Sequence, residues 1–314
     1  MQGIRRKLLS RAPVLLLCLI VGVIAFAFFR FAYAVPESPA LPELTEIKTV
    51  IDTEAYTFLP VDESELGKGE LIVVNGANHY RFPGGENLQS VFDFKNSFYK
   101  VSDKNVVLRA GIADSINQMF EDFYRNRKYT DVCIISGHRT AEYQQNLLAK
   151  RTREIGNEAS DWVANPGASE HHTGYAMDLG IYTARGESYQ FTGNGACDWI
   201  AQNAYKYGFV VRYPSDKSAL TGISYEPWHF RYVGAPHAYL ITKDGLCLEE
   251  YIDLLRTFEF GKRHLSVNDY EGMNYEIYFV KAAGKTTQVP VPKNGAYVVS
   301  GNNADGYIVT VLEN

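Results

Sequence analysis

Ile112, Ile116, Met119, Phe120 and Phe123 recur at three- and four-residue spacing. That stripe predicts an amphipathic helix over 112–128 with its apolar face on a core. Residues 131–136 read as a strand and 140–155 as the helix that follows it. Residues 197–207 again show helical spacing and stop at Gly208, a residue suited to a left-handed helix terminus. Residues 209–213 and 229–233 then read as strands, the second alternating its side chains between two faces, and 246–258 as a closing helix. From His264 onward the pattern becomes short alternating strands separated by turn signals such as Asn294-Gly295 and Asn302-Asn303-Ala304-Asp305-Gly306.

The leading residues follow a different rule. Arg5, Arg6, Lys7 and Arg11 precede an apolar run over 12–29, which at about 1.5 Å per residue is long enough to cross a hydrocarbon core. Basic residues on the leading side predict a cytoplasmic N-terminus with the rest of the chain outside. Cleavage as a signal peptide is the alternative, because Ala32-Tyr33-Ala34 resembles a small-residue processing site. The expected organisation is therefore an anchor or signal over 1–35, a proline- and acid-containing stalk over 36–69 with room for one short helix or strand, a globular domain over 70–260 and a small β-rich appendage over 261–314. The domain opens on the apolar run Glu70-Leu71-Ile72-Val73-Val74-Asn75, read as a strand.

Composition narrows the function. An apolar share of 46% in 314 residues describes a packed body, and a net charge of -5 offers no basic footprint for nucleic acid. No protein partner is implied. Of four cysteines, Cys18 lies in the leading apolar run, while Cys133, Cys197 and Cys247 sit in apolar or helical surroundings and read as buried thiols.

The chemistry is concentrated in Ser169-Glu170-His171-His172-Thr173-Gly174-Tyr175-Ala176-Met177-Asp178 and, further on, Glu226-Pro227-Trp228-His229. Together they offer imidazoles, a carboxylate and a spare glutamate. A catalytic zinc keeps three protein ligands and one open position, with a nearby carboxylate to take a proton from water. His171, Asp178 and His229 are the expected ligands of one zinc per chain, and Glu226 the base. Spacing alone leaves His172 open, since on an uninterrupted strand residues six apart share a face and residues seven apart do not. Gly174 would permit a turn between the ligands. His79, His237 and His264 stand alone and read as ordinary hydrogen-bonded histidines.

The two motifs fill every fixed position of SxHxxGxAxD followed by ExxH, and so the chain resembles the VanY-type D-alanyl-D-alanine carboxypeptidases. Ser136-Gly137-His138-Arg139-Thr140 with Gln144, Asn165-Pro166-Gly167 and residues 208–214 extend the resemblance over about 70–255. His138 departs from it, the family usually carrying an aromatic residue there. The resemblance selects His171 over His172, which becomes a rim or supporting residue. It implies an α+β fold, a small antiparallel sheet with packed helices around a single zinc site. It assigns the oxyanion of the tetrahedral adduct to Arg139. Ser136, Gln144, Ser169 and Trp228 are the expected residues on the substrate side, Gln144 and Ser169 orienting it by hydrogen bonds and Trp228 packing against the site. The implied reaction removes the terminal D-alanine from peptidoglycan stem peptides, outside the cytoplasmic membrane. L,D-carboxypeptidase action on the tetrapeptide is the alternative within the class. A silent wall-binding module would show loss of Glu226 or of a ligand, and none is lost. No Ser-x-x-Lys with its partner motifs is present, which disfavours a penicillin-type serine enzyme.

Overall fold

In this computed structural model residues 45–313 are described, so the expected anchor or signal over 1–35 lies outside them. No helix among the described residues is long and apolar enough to cross a membrane. The fold is mixed α/β and is built on two larger sheets.

The first sheet carries the chemistry. It contains β4 (Lys100–Val101), β6 (Val132–Ser136), β7 (Ala176–Tyr182), β8 (Ser188–Gln190), β9 (Phe209–Val211) and β10 (His229–Tyr232), in the order β4-β6-β7-β10-β9 with β8 also paired to β7. Its pairs are antiparallel except β4 with β6, so the antiparallel sheet expected is in fact mixed. Helix α1 (Ala113–Arg127) lays Ile116, Met119, Phe120 and Phe123 against Ile134, Met177, Leu179 and Phe230. Full burial of such side chains is worth about 1.5–3 kcal/mol each relative to exposure. Helix α2 (Ala141–Ile155) starts at Thr140, whose hydroxyl accepts the N–H of Tyr143 at 3.1 Å. The segment expected as one helix over 197–207 is α3 (Asp198–Asn203) flanked by 3-10 turns, ending at Gly208 with φ 81°.

The second sheet runs β1 (Thr45–Lys48), β11 (His264–Asn268), β12 (Asn274–Lys281), β15 (Gly306–Glu313), β14 (Ala296–Gly301), all antiparallel. Beside it β2 (Tyr56–Asp62) pairs with β13 (Thr286–Pro292); a further short pair joins β3 (Leu88–Ser90) to β5 (Val107–Arg109). Helices α4 (Ala235–Lys243) and α5 (Leu248–Arg256) fill the space behind the second sheet, Tyr239, Tyr251, Ile252 and Leu255 packing with Leu265, Ile277 and Ile308. Leu71, Val73, Val210 and Val233 join that cluster.

Three expectations are corrected here. The boundary at 260/261 does not separate two bodies, because the residues on either side share this core and belong to one compact unit. The stalk is not a stalk from Thr45 onward, since β1 and β2 pair with β11 and β13. Its strands were hidden by Pro60 and by the mostly exposed side chains of β2, features tolerated in a strand with a single partner. Finally, residues 71–74 are buried and Glu70 and Asn75 half-buried, but the segment forms no ladder. Their backbone is satisfied instead by Ser300 Oγ, which accepts from the Leu71 N–H, by Asn303 Nδ2, which donates to the Val73 carbonyl, and by Arg231, which donates to the carbonyls of Glu70 and Ile72.

Candidate active site

Register assembles the centre. On β7, Asp178 lies opposite Ser136 of β6 on one side and His229 of β10 on the other, with an irregularity in β6 between Ile134 and Ser136. Strand pairing therefore sets aspartate and histidine side by side across a ladder. His171 arrives from a 3-10 turn, Glu170–Thr173, that closes at Gly174 with φ 73°. A Cβ on Gly174 would lie 2.8 Å from Leu88 Cδ2 as well as in a strained conformation. The turn breaks the strand periodicity that would have favoured His172.

His171 Nε2 is 3.2 Å from Asp178 Oδ2, and His229 Nδ1 is 3.1 Å from Asp178 Oδ1. One ligand atom from each of the three residues lies within 4.8 Å of the others, and all three are buried. The edges of a tetrahedron with bonds of about 2.0–2.1 Å are roughly 3.3 Å long, close to the two histidine-to-aspartate distances, and two imidazoles with a carboxylate are a donor set that zinc takes. His171 Nδ1 donates to the Gly137 carbonyl at 2.6 Å, which keeps Nε2 free as a donor to metal. Glu226 belongs to the turn that leads into β10, where the His229 N–H donates to the Glu226 carbonyl, and its Oε2 stands 3.7 Å from His229 Nδ1.

His172 points elsewhere. Its Nε2 accepts the N–H of Gly167 at 3.0 Å and its Nδ1 donates to the Arg139 carbonyl at 2.7 Å, tying the 165–167 turn to the arginine. Arg139 donates through Nη2 to Asp178 Oδ2 at 2.5 Å and through Nε to Ser136 Oγ at 2.9 Å. Ser136 is thus engaged with Arg139 and does not line the cavity, unlike the substrate position expected for it. Gln144 is buried and its Nε2 donates to the Ala164 carbonyl, fastening α2 to the loop opposite.

The cavity over these groups has a volume of about 420 Å³. Arg139, Gln144, Ser169, Glu226 and Trp228 line it beside His171, Asp178 and His229. Further wall residues, among them Arg151, Trp162 and Gln190, were not singled out from the sequence, and Tyr213 was seen only as part of 208–214. Arg151 continues a helical face with Gln144 and Leu147, a spacing of three and four that could have marked it. His138 does not line the cavity, so its departure from the family's aromatic residue leaves the wall intact. His237, hydrogen-bonded to Tyr251 and Thr310, and His264, paired with Glu276, are satisfied interior histidines. The cysteines Cys133, Cys197 and Cys247 are free and buried.

The charges of the centre are set by burial working against close partners. Burial disfavours the Asp178 carboxylate, yet His171 and Arg139 hold it well below its ordinary range. Burial, with Arg139 adding to it, lowers His171 to about 4. For His229 burial is overridden by the contacts with Asp178 and Glu170, which carry the ring up to about 9. Burial pushes Glu226 up to about 7, against the pull of His229 and with help from Asp178.

At pH 7 the metal-free His229 is consequently a cation that must give up its Nδ1 proton to become a ligand. Zinc uptake should release about one proton per ion or more near pH 7, and affinity should rise with pH toward about 9. Calorimetry in buffers of different ionisation enthalpy reads the proton count; an affinity flat from pH 6.5 to 9 would contradict it. The same shift acts on the metal-free fold. Because the folded pKa lies above the ordinary 6.5, the stabilisation from His229 is fully present below about pH 6.5 and is lost as pH rises through about 9.

Comparison with known proteins gives a consistent set. The family model described as VanY, D-alanyl-D-alanine carboxypeptidase, matches residues 105–235. A D-alanyl-D-alanine carboxypeptidase of Enterococcus faecium is 34% identical over 280 residues, covering 88% of this chain and 82% of its own. The bifunctional D-Ala-D-Ala dipeptidase and carboxypeptidase VanXYC of Enterococcus gallinarum is 43% identical over 129 residues, 40% of this chain and 68% of its own. Among solved structures, the vancomycin-resistance D,D-dipeptidase VanXYg in complex with a D-Ala-D-Ala phosphinate analogue superposes with a TM-score of 0.74 at 30% identity, over 82% of this chain and 99% of that one.

Proposed function

Because the chain belongs to the VanY family of D-alanyl-D-alanine carboxypeptidases, we propose that its buried triad of His171, Asp178 and His229 holds one zinc ion and that Glu226 is the catalytic base. The protein is a zinc peptidase that removes the terminal D-alanine of peptidoglycan stem peptides. The observation that carries the assignment of roles is the placing of an uncommitted carboxylate, Glu226, 3.7 Å from a ligand nitrogen on the wall of a cavity of about 420 Å³.

Zinc bound there supplies a Lewis acid that polarises the scissile carbonyl and acidifies an attacking water. Glu226 takes the proton of that water, and its raised pKa suits it to return the proton to the leaving amine. Arg139 is held in place by Ser136, Gln144 and Asp178, so its guanidinium meets the developing oxyanion without reorganising. Ser169 and Trp228 bound the substrate on the cavity wall, while Gln144 acts on it through Arg139 and the Ala164 loop. His171 stays fixed through the bond of its second ring nitrogen to the Gly137 carbonyl.

An exopeptidase must also hold the free carboxylate of the last residue, and Arg139 and Arg151 are the guanidinium groups of this cavity. A stem pentapeptide ending in D-Ala-D-Ala should lose one alanine, and its C-terminal amide should react far more slowly. Mass spectrometry of pentapeptide, amidated pentapeptide and tetrapeptide, with and without chelator, reads all three. Efficient cleavage of the amide would exclude the carboxypeptidase assignment, and release of alanine from the tetrapeptide alone would select L,D specificity. Penicillin should not inhibit.

We further place this domain outside the cytoplasmic membrane, supported by the basic residues and apolar run of the first thirty residues. Cell fractionation and protease accessibility on intact cells test that placement.

A further inference from the structure

Beneath the zinc ligands lies a buried charge cluster that the reaction does not touch. Arg212 and Arg231, at 1% and 0% exposure, are among the largest fully buried side chains. Both donate to one oxygen of Glu170: Arg212 through Nε at 2.7 Å and Arg231 through Nη1 at 2.8 Å, each to Oε1. Arg212 also forms a two-pronged pair with Glu249 of α5, at 2.9 and 2.6 Å. Arg231 donates to the carbonyls of Glu70 and Ile72. The two arginines and two glutamates balance in charge, and the arginines fix the orientation of the Glu170 carboxylate.

The other oxygen of Glu170 is the informative one. Oε2 is buried and has no close hydrogen-bond partner; the same is true of His229 Nε2. The two atoms face one another at 3.5 Å. A buried carboxylate oxygen and a buried ring nitrogen are each costly to leave unmatched, and here each is the group the other lacks.

We propose that Glu170 is the positioning residue of the metal centre, holding His229 as the tautomer protonated on Nε2 so that the Nδ1 lone pair faces the zinc. The inference rests on the zinc assignment made above. It gives the two histidine ligands opposite polarity. His171 presents Nε2 and anchors Nδ1 on a backbone carbonyl, whereas His229 presents Nδ1 and anchors Nε2 on a carboxylate. A carboxylate behind an imidazole orients it and makes it a stronger donor than a carbonyl does. The same pair explains why Glu170 must be an acid rather than an amide. With Oε1 accepting from two guanidinium groups, a glutamine would turn its NH₂ toward His229 Nε2. Nε2 would then become the acceptor, and the proton would move to Nδ1, the atom that has to bind metal.

Two experiments test this without using activity. In the zinc-loaded wild-type protein, nitrogen-15 NMR of labelled histidines should show one zinc ligand bound through Nε2 and one bound through Nδ1 with its Nε2 protonated. Finding both ligands bound through Nε2 overturns the proposal. Chelator competition on Glu170→Gln should show zinc affinity reduced roughly ten- to a hundredfold, the usual effect of losing such a partner. Affinity within about twofold of wild type in folded E170Q overturns it as well. Should E170Q fail to fold, the wild-type tautomer decides. Absence of any zinc binding by wild-type protein would instead defeat the zinc assignment itself, an outcome distinct from either of the others.

Discussion

Replacing Glu226 by glutamine should leave zinc content unchanged and lower kcat at least about a hundredfold, the range lost when a positioned base is removed. The amide keeps the length of the side chain and its place in the turn before His229, where the backbone bond between Glu226 and His229 does not depend on the carboxylate. What it cannot do is accept a proton. Metal content and rate should therefore separate, which distinguishes a base from a ligand. Elemental analysis and steady-state kinetics on the same preparation make the comparison. Turnover near the wild-type rate would return Glu226 to a structural role.

Alanine at His171, Asp178 or His229 should remove both metal and activity. Each ligand is one of three, and loss of one leaves a two-donor site in a buried cavity that cannot compete with water for zinc. Asp178→Ala should be the most damaging to the metal-free fold. Its carboxylate meets His171, His229 and Arg139 at once, and its removal leaves the cations of the centre without their shared anion. Breaking a buried ion pair by deleting one partner costs about 3–5 kcal/mol. The expected pattern is thus about one zinc per wild-type chain, very little in any of the three variants, and a lower melting temperature for the metal-free aspartate variant than for the wild type. Full activity in any one of them would refute the ligand set.

The convergence of His171, Asp178, His229 and Glu226 was legible because the chemistry demands residue types whose spacing survives in one dimension. Helices α1 and α2 were legible for a similar reason, since a stripe such as Ile116, Met119, Phe120 and Phe123 records which side faces the core. Choosing between His171 and His172 needed the family register, because the Gly174 turn overrides strand periodicity. Less legible were the features that depend on partners remote in sequence. Strands β1 and β2 carry little pattern of their own, and their existence is decided by β11 and β13. Residues 70–75 look like a strand by composition, but Arg231, Ser300 and the 302–303 turn take the bonds a ladder would have used. The Glu170 cluster was missed for the same reason. Glu170 stood in plain view between Ser169 and His171, yet nothing in one dimension says that Arg212 and Arg231 converge on it. A hint was available in the placing of arginines next to apolar strand residues, in Phe209–Val211 followed by Arg212 and in Arg231 within β10.

The pairing of β1 with β11 and of β2 with β13 also bears on how the chain reaches this state. Thr45 sits opposite Val267 and Asp62 opposite Thr286, so the first described strands to be synthesised wait for nearly the last. Contacts this distant slow folding, because the loop must close before the pairing rewards it. During synthesis the exposed apolar residues Phe58 and Leu59 of β2 have no cross-strand partner until residues 286–292 emerge. Chains cut before His264 would keep every zinc ligand and still present two unpaired strands to their neighbours, which favours aggregation over a smaller soluble enzyme.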